Sequence, residues 1–325
     1  MKKDSVQGEF KDSTLGTFAV AAVLCVVCSV LVSVTAVGLK EIQDANIELD
    51  KQKNVLSSAG LLPKKATASD VASLFENVTV LAIDLATGEA VDSSVVKDPK
   101  EFDPFDEIND PGKRIEILFY AKSLVHANQE KEAATETGEK AEATVEEEEL
   151  TEEQQLEKQL EAIKAIKLTP IDNADLRLGS IPFRAKYAVV YLIKKDGKLD
   201  QVVLPFYGKG LWSTLKGFIS IDSNTQTIRG LTYYSHLETP GLGGEVDNED
   251  WKAKWPGKQG IDAEGNVVIT VPKAGTGNLS EDTVVDGLSG ATITTKGINT
   301  MVRYWLGPAG FGPFLDKVRK GEIDG

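Results

Sequence analysis

Cysteine is confined to one place in this chain, and histidine is almost absent. Cys25 and Cys28 lie together in an N-terminal apolar run, and the remainder has none. That excludes a disulfide framework, a thiolate metal site and a cysteine nucleophile outside the run. It also fits an oxidising compartment. His126 and His236 are the only histidines, too few for a histidine-built metal centre. Positive charge is in deficit: 36 Lys and Arg stand against 50 Asp and Glu, a formal charge of −14. Such a surface does not attract a phosphate backbone, so nucleic acid is excluded as a partner. No G-x-x-x-x-G-K-[ST] phosphate loop occurs, and no G-x-G-x-x-G opens a helix after a strand. Gly208-Lys209-Gly210 and Gly275-Thr276-Gly277 match only two glycines of that pattern and read as turns. The chain has no dinucleotide fold of its own for NADH.

Long uncharged runs are not lacking. From Ser13 to Leu39 no charged residue occurs, and Ala, Val and Leu dominate. A helix needs roughly 20 residues to cross about 30 Å of hydrocarbon, so this run is long enough. A cleavable signal peptide has a shorter apolar region, of about 7–15 residues, before a small-residue cleavage site. Length therefore favours an uncleaved single-pass anchor at 13–39, behind a short tail at 1–12. Lys2, Lys3 and Lys11 precede the span, which leans towards a cytoplasmic N-terminus and a large domain on the outer side. Cys25-x-x-Cys28 has no partner thiols, so it reads as small residues packing against neighbouring helices.

After the anchor, residues 41–62 continue as a helix with an imperfect apolar stripe, ending at Gly60 and Pro63. A capped helix begins at Ser69, and Val78–Leu85 reads as a strand closed by Thr87-Gly88. Residues 40–129 thus form a helical and mixed region. Residues 130–167 differ, with thirteen acids against five bases, and read as a solvated insertion whose second half is an amphipathic helix. Residues 168–325 are β-rich. Strands are expected at Tyr187–Ile193, Gln201–Pro205, Gly217–Ile221, Thr227–Thr232 and Val267–Val271, with turns at Asp196-Gly197 and Asp222-Ser223-Asn224. A last helix runs from about Thr294 to Leu306, with Ile298, Met301, Val302 and Trp305 on one face. The fold class is α+β, a sheet covered mainly on one face.

Two glycine-bearing segments carry the chemistry. His236-Leu237-Glu238-Thr239-Pro240-Gly241-Leu242-Gly243-Gly244 follows a strand, and its glycines permit close approach to a flat ligand or a mobile loop. Asp286-Gly287-Leu288-Ser289-Gly290-Ala291-Thr292-Ile293-Thr294-Thr295-Lys296-Gly297 leads into the last helix. Small residues before a helix suit a phosphate on its free N–H groups. They equally suit an ordinary helix cap by one of the threonines. The residues alone leave that choice even.

The tetrad Ser289-Gly290-Ala291-Thr292 behind Asp286, together with the H-L-E-T-P-G-L-G of residues 236–243, resembles the FMN-binding domain family of respiratory electron-transport subunits. Ala45–Leu56 and Gly210-Leu211-Trp212-Ser213 are further similar to the C subunit family of sodium-translocating NADH:quinone reductases. The resemblance covers the anchor and most of residues 182–315, and leaves the acidic stretch unexplained. It implies FMN held covalently, by a phosphoester to Thr292 that a separate flavin transferase makes from FAD. Ser289, Gly290, Ala291 and Thr294 would surround the phosphate. Thr239, Gly241 and Leu242 would lie near the ring, with Leu211, Trp212 and Ser213 on another wall. Glu238 would set local charge, and His236 would be a structural hydrogen-bonding residue; Trp212 reads equally as core. The implied function is electron relay inside a multisubunit inner-membrane complex that oxidises NADH, reduces quinone and moves sodium. The chain alone would then oxidise no NADH. The partners implied are other respiratory subunits, the transferase and the lipid bilayer. Alternatives are the G subunit of an Rnf-type ferredoxin-linked complex, a membrane-tethered binding protein, and a sensor or maturation protein.

Overall fold

The computed structural model describes residues 14–100, 102–136, 161, 164 and 176–323. The second half of the acidic stretch, with the helix expected there, lies outside them apart from Glu161 and Lys164. Two compact units divide the chain, at residues 1–51 and 52–325. The described residues of the first lie in α1, Thr14–Ser58, whose most apolar window has a mean hydropathy of 2.7 and no buried residues. By length and composition that helix is able to cross a membrane.

The second unit is α+β. Its elements are α2 (Ala68–Phe75), β1 (Val78–Asp84), α3 (Pro104–Asn109), β2 (Arg114–Glu116), α4 (Ile117–Glu136) and β3 (Phe183–Ala185). Then come β4 (Tyr187–Lys195), β5 (Lys198–Lys209), β6 (Thr214–Asp222), β7 (Ile228–Ser235), α5 (Glu249–Lys252), α6 (Thr292–Leu306) and α7 (Gly312–Arg319). Five strands form one antiparallel sheet in the order β1-β4-β5-β6-β7, and β2 pairs with β3 apart from it. The 40–129 region thus supplies an edge strand to the sheet of the 168–325 region. The other expected strands lie within β1 and β4 to β7, apart from Leu85 and Thr227 just past β1 and before β7. The Asp196-Gly197 turn takes positive φ at both residues, 53° and 76°, the geometry a two-residue hairpin needs.

Four expectations need correcting. The helix expected to begin at Ser69 is capped by Thr67, whose side chain and Asp70 form a reciprocal capping box. Val267–Val271 is not a strand. Asn299 Oδ1 takes the Val271 amide at 2.8 Å, and the Arg303 guanidinium donates to the Ile269 and Val267 carbonyls at 2.7 and 3.1 Å. Side chains of α6 therefore satisfy backbone groups that a neighbouring strand would otherwise take. The boundary at 129/130 falls inside α4, and neither α4 nor α7 is announced by the sequence pattern. Finally, both faces of the sheet are covered. Val190, Leu192, Val202, Leu204 and Ile219 face the main core, while Tyr191 and Phe218 on the other face pack edge-on against each other, with Phe75 of α2 beyond.

Helix α6 lies along β5 at a backbone distance that only glycine allows. A β-carbon on Gly208 would sit 2.5 Å from Met301 Cβ, and one on Gly297 would collide with the Lys209 carbonyl. Farther along, Trp305 Nε1 donates to the Tyr207 carbonyl at 2.7 Å, and the two rings pack 4.8 Å apart. Ile298, Met301, Val302 and Trp305 are buried, as the face pattern requires. Arg184 is fully buried as well, held by a bond to the Ala185 carbonyl at 2.8 Å and by the Tyr120 ring 4.7 Å away. Gly297→Ala is expected to destabilise the protein by about 1–3 kcal/mol, the usual cost of overpacking. A urea melt of the full chain in detergent, compared with the wild type, checks this.

Candidate functional site

Three loops meet at the start of α6. The first is the β5–β6 turn, closed by the Gly210 amide on the Ser213 carbonyl at 2.9 Å. The second follows β7. Its Thr239 carbonyl accepts from the Leu242 and Gly244 amides at 3.1 and 2.9 Å, and Gly241 takes φ +75°. The third runs from Asp286 to Ala291, where Gly290 takes φ +71° and a β-carbon added there would come 3.0 Å from Leu242 Cδ2. That loop is braced by the Gly275 amide on Asp286 Oδ1 at 2.9 Å and by Trp251 Nε1 on the Asp286 carbonyl at 2.9 Å.

The carboxylate of Glu238, on the second loop, bonds to the first loop and to the first turn of α6. Oε1 accepts from the Trp212 amide at 3.0 Å, the Ser213 amide at 3.0 Å and the Ser213 hydroxyl at 3.2 Å. Oε2 accepts from the Leu211 amide at 3.2 Å and the Thr294 hydroxyl at 2.8 Å. Burial works to raise the Glu238 pKa, but the Thr294 hydroxyl and the three amides favour the charged form, and the net effect lowers it. Two glycines leave room for the arrangement. A β-carbon on Gly210 would lie 2.6 Å from Oε1, and one on Gly243 would lie 2.7 Å from both Oε2 and Thr294 Oγ1. His236 supports the same loop. Its Nδ1 accepts from the Glu238 amide at 3.3 Å, which leaves Nε2 to donate to Asp247 at 2.8 Å. Ser213 Oγ also accepts the Leu237 amide, at 2.8 Å.

The three threonines at the start of α6 have different fates. Thr294 and Thr295 are buried, at 1% and 2% exposure. Thr294 is spent on Glu238, and Thr295 Oγ1 accepts the Leu288 amide at 3.0 Å. Thr292 is exposed, the first residue of the helix, with Ala291 as N-cap and no side-chain cap. A threonine cap of the ordinary kind is therefore not what the sequence encodes. The first-turn amides have no intrahelical acceptor and follow the exposed turn of Ser289 and Gly290. The helix start and the two adjoining loops carry large apolar side chains that are not covered: Leu211 at 42% exposure, Trp212 at 67%, Leu242 at 45% and Ile293 at 58%. Trp212 is thus surface and not core.

Most of the expected site residues come together, in two kinds. Ser289, Gly290, Thr292, Leu211, Trp212, Thr239, Gly241 and Leu242 are exposed around the helix start; Ala291, Glu238 and Thr294 are buried beneath it, and Ser213 lies between. The structure adds Asp247 and Lys209, whose Nζ donates to the Trp212 carbonyl at 3.2 Å. Neither lies in a motif, and no spacing in the sequence marks them.

An uncapped helix start beside a glycine-bearing turn, with exposed apolar side chains on the adjoining loops, has the chemistry to accept an anion and a flat ring. The FMN-binding domain family model matches residues 210–307, which takes in all three loops. The particular family follows from relatives along nearly the whole chain. The C subunit of the Na(+)-translocating NADH-quinone reductase from Pseudomonas aeruginosa is 36% identical over 315 residues, covering 96% of this chain and 98% of that protein. The corresponding Yersinia pestis protein is 36% identical over 314 residues, covering 96% of each. The chain belongs to this C subunit family. Among solved structures, Shewanella oneidensis NqrC superposes with a TM-score of 0.61 at 26% identity, covering 85% of this chain and 99% of that one. The C subunit from Parabacteroides distasonis shares the fold, with a TM-score of 0.53 at 22% identity and 85% and 96% coverage.

Thr294→Val keeps the shape and removes one donor from a buried carboxylate, so a loss of about 1.5–3 kcal/mol is expected at neutral pH. Because the folded Glu238 pKa is depressed, its contribution is present above the unfolded pKa and is lost as pH falls through the folded one. The difference between variant and wild type should therefore shrink on acidification, as read from denaturation midpoints across acid pH.

Proposed function

We propose that this chain carries FMN joined by a phosphoester to Thr292 Oγ. It would relay electrons within a membrane complex that oxidises NADH, reduces quinone and moves sodium. The observation that carries the reading is the contrast among the threonines. Thr292 alone of the three is exposed, while Thr294 and Thr295 are buried and already hydrogen-bonded within the protein. A modifying enzyme needs access to the hydroxyl, and of these three threonines only Thr292 offers it.

The residues fit the group. The first-turn amides of α6 and the positive end of its dipole suit a phosphate diester at N1. Gly290 and Ala291 keep bulk away from it. Leu211, Trp212, Leu242 and Ile293 offer apolar surface to a ring, and the loop of Thr239 and Gly241 borders it. In the attachment step the phosphoanhydride of FAD breaks, the new P–Oγ bond forms, AMP leaves and the hydroxyl proton is released. Flavin transferase is the partner for that step. When bound, the flavin accepts and passes electrons; the protein places it and tunes its surroundings. Glu238 has no proton to offer while it accepts five bonds, so the chain supplies no general acid there.

The long apolar part of α1 supports an inner-membrane anchor, single-pass, with a cytoplasmic N-terminus and the sheet domain on the outer side. On that side a free cofactor would be lost on dissociation, and a bond prevents it. Partners would be the other subunits of the complex, and the naming of the relatives as quinone-reductase subunits favours that complex over an Rnf-type one.

The test is co-expression with a flavin transferase, followed by in-gel fluorescence and peptide mass analysis. Wild-type protein should fluoresce under denaturing conditions, with the flavin mass on the peptide bearing Thr292. Thr292→Ala should lose both. Fluorescence retained in the alanine variant would overturn the assignment. The purified chain should also show no NADH oxidation.

A further inference from the structure

The geometry points to Glu238 as a positioning residue: its carboxylate assembles the acceptor turn around Thr292 and fixes one negative charge beneath it, without touching the cofactor. This rests on Thr292 being the acceptor. It goes beyond that reading by assigning Glu238 to the apoprotein, and it gives the expected setting of local charge a geometric basis.

Saturation is the first argument. A carboxylate offers about four lone-pair sites. Five donors already occupy them, from Leu211, Trp212, Ser213 twice and Thr294. No capacity is left for a ligand, and burial at 6% exposure leaves no path for one. The residue therefore acts through its donors.

Connectivity is the second. The donors belong to the β5–β6 turn and to the third residue of α6, while Glu238 itself stands on the loop after β7. One charge thus ties the β5–β6 turn and the first turn of α6 to the loop after β7. Thr294 is two residues from Thr292, in the same helical turn, so the bond at 2.8 Å sets where the acceptor hydroxyl stands. It also removes Thr294 from competition as an acceptor. On the opposite side, the amides of Leu211 and Trp212 are held while their side chains project outward.

No cation is hydrogen-bonded to the carboxylate among the described residues. The charged or titratable groups facing it are few. His236 contacts the Glu238 amide and Asp247, and Lys209 of β5 donates to the Trp212 carbonyl. From α6 only the Thr294 hydroxyl reaches it. The charge is balanced by N–H and O–H dipoles, which leaves its field acting on whatever occupies the turn above. A fixed negative charge disfavours adding electrons nearby, so neutralising it should make a bound flavin easier to reduce.

Two variants separate the latch from the charge. Glu238→Ala removes both; Glu238→Gln keeps the size and some hydrogen bonds but loses the charge. In isotope-labelled full-length apoprotein in detergent, the Trp212 and Ser213 amide resonances should titrate together with one midpoint below the ordinary glutamate range. That titration should vanish in Glu238→Gln. The rate of Thr292 modification by the transferase should fall about 10–100-fold in Glu238→Ala, the scale expected when a reacting group is displaced by about 1 Å, and less in Glu238→Gln. In modified Glu238→Gln the flavin midpoint potential should rise, a shift that loosened packing alone does not dictate. Modification of Glu238→Ala at the wild-type rate, or an absent titration in the wild type, overturns the proposal. If wild-type protein never acquires flavin, the reading of Thr292 fails instead, and the amide titration still decides the role of Glu238.

Discussion

A carboxylate taken out of water must be compensated, and around Glu238 that requirement organises the site. A cation would pair it by attraction alone and leave its neighbours loosely placed. Here the compensation comes from backbone amides and hydroxyls, which are directional. Each must arrive at about 3 Å and well aligned, so the carboxylate dictates the path of the 211–213 turn and the setting of α6. The same demand explains two glycines. Gly210 and Gly243 lie where a β-carbon would press against the carboxylate oxygens. The loop after β7 is glycine-bearing at Gly243 because an anion beneath it needs the space.

The helix that carries Thr292 is held from two directions. Toward its N-terminus Thr294 is tied to Glu238, and along its length Gly208 and Gly297 let it approach β5 at backbone distance. Near its far end Trp305 both packs on Tyr207 and bonds to its carbonyl. Asn299 and Arg303 then reach the other way, taking backbone groups of Val267, Ile269 and Val271. A helix braced on several sides does not slide, and the position of its first hydroxyl follows from the packing of the rest. A proposed acceptor at N1 of such a helix would be placed with a precision that a loop lacks.

Much of this is readable from the residues. Strands β4 to β7 carry β-branched and aromatic runs bounded by turn residues, and α6 carries a clear apolar face; both are local patterns. Val267–Val271 misleads because an apolar run looks the same whether its backbone meets a strand or the side chains of a helix. Thr67 and Ser69 are equally able to cap, and only the reciprocal bond with Asp70 distinguishes them. The position of Thr292 comes through resemblance, whereas its contrast with Thr294 and Thr295 comes from burial. The role of Glu238 lies beyond any local pattern. Its donors stand 25 to 27 residues away on one side and 56 on the other, and no periodicity connects them.

Openness of the site gives a physical reason for a covalent bond. Pockets that retain a ligand by contact alone commonly bury about 70–90% of its surface. Here the apolar side chains around Thr292 are themselves 42% to 67% exposed, so a ring lying against them would keep much of its own surface in water or against a neighbouring protein. That exposure suits electron exchange with a partner, which needs close approach, but it weakens retention. The proposed ester at Thr292 would separate the two demands: the bond would hold the cofactor, and the apolar side chains would need only to orient it. Deepening the pocket would secure the flavin without the bond and bury the edge through which electrons must pass.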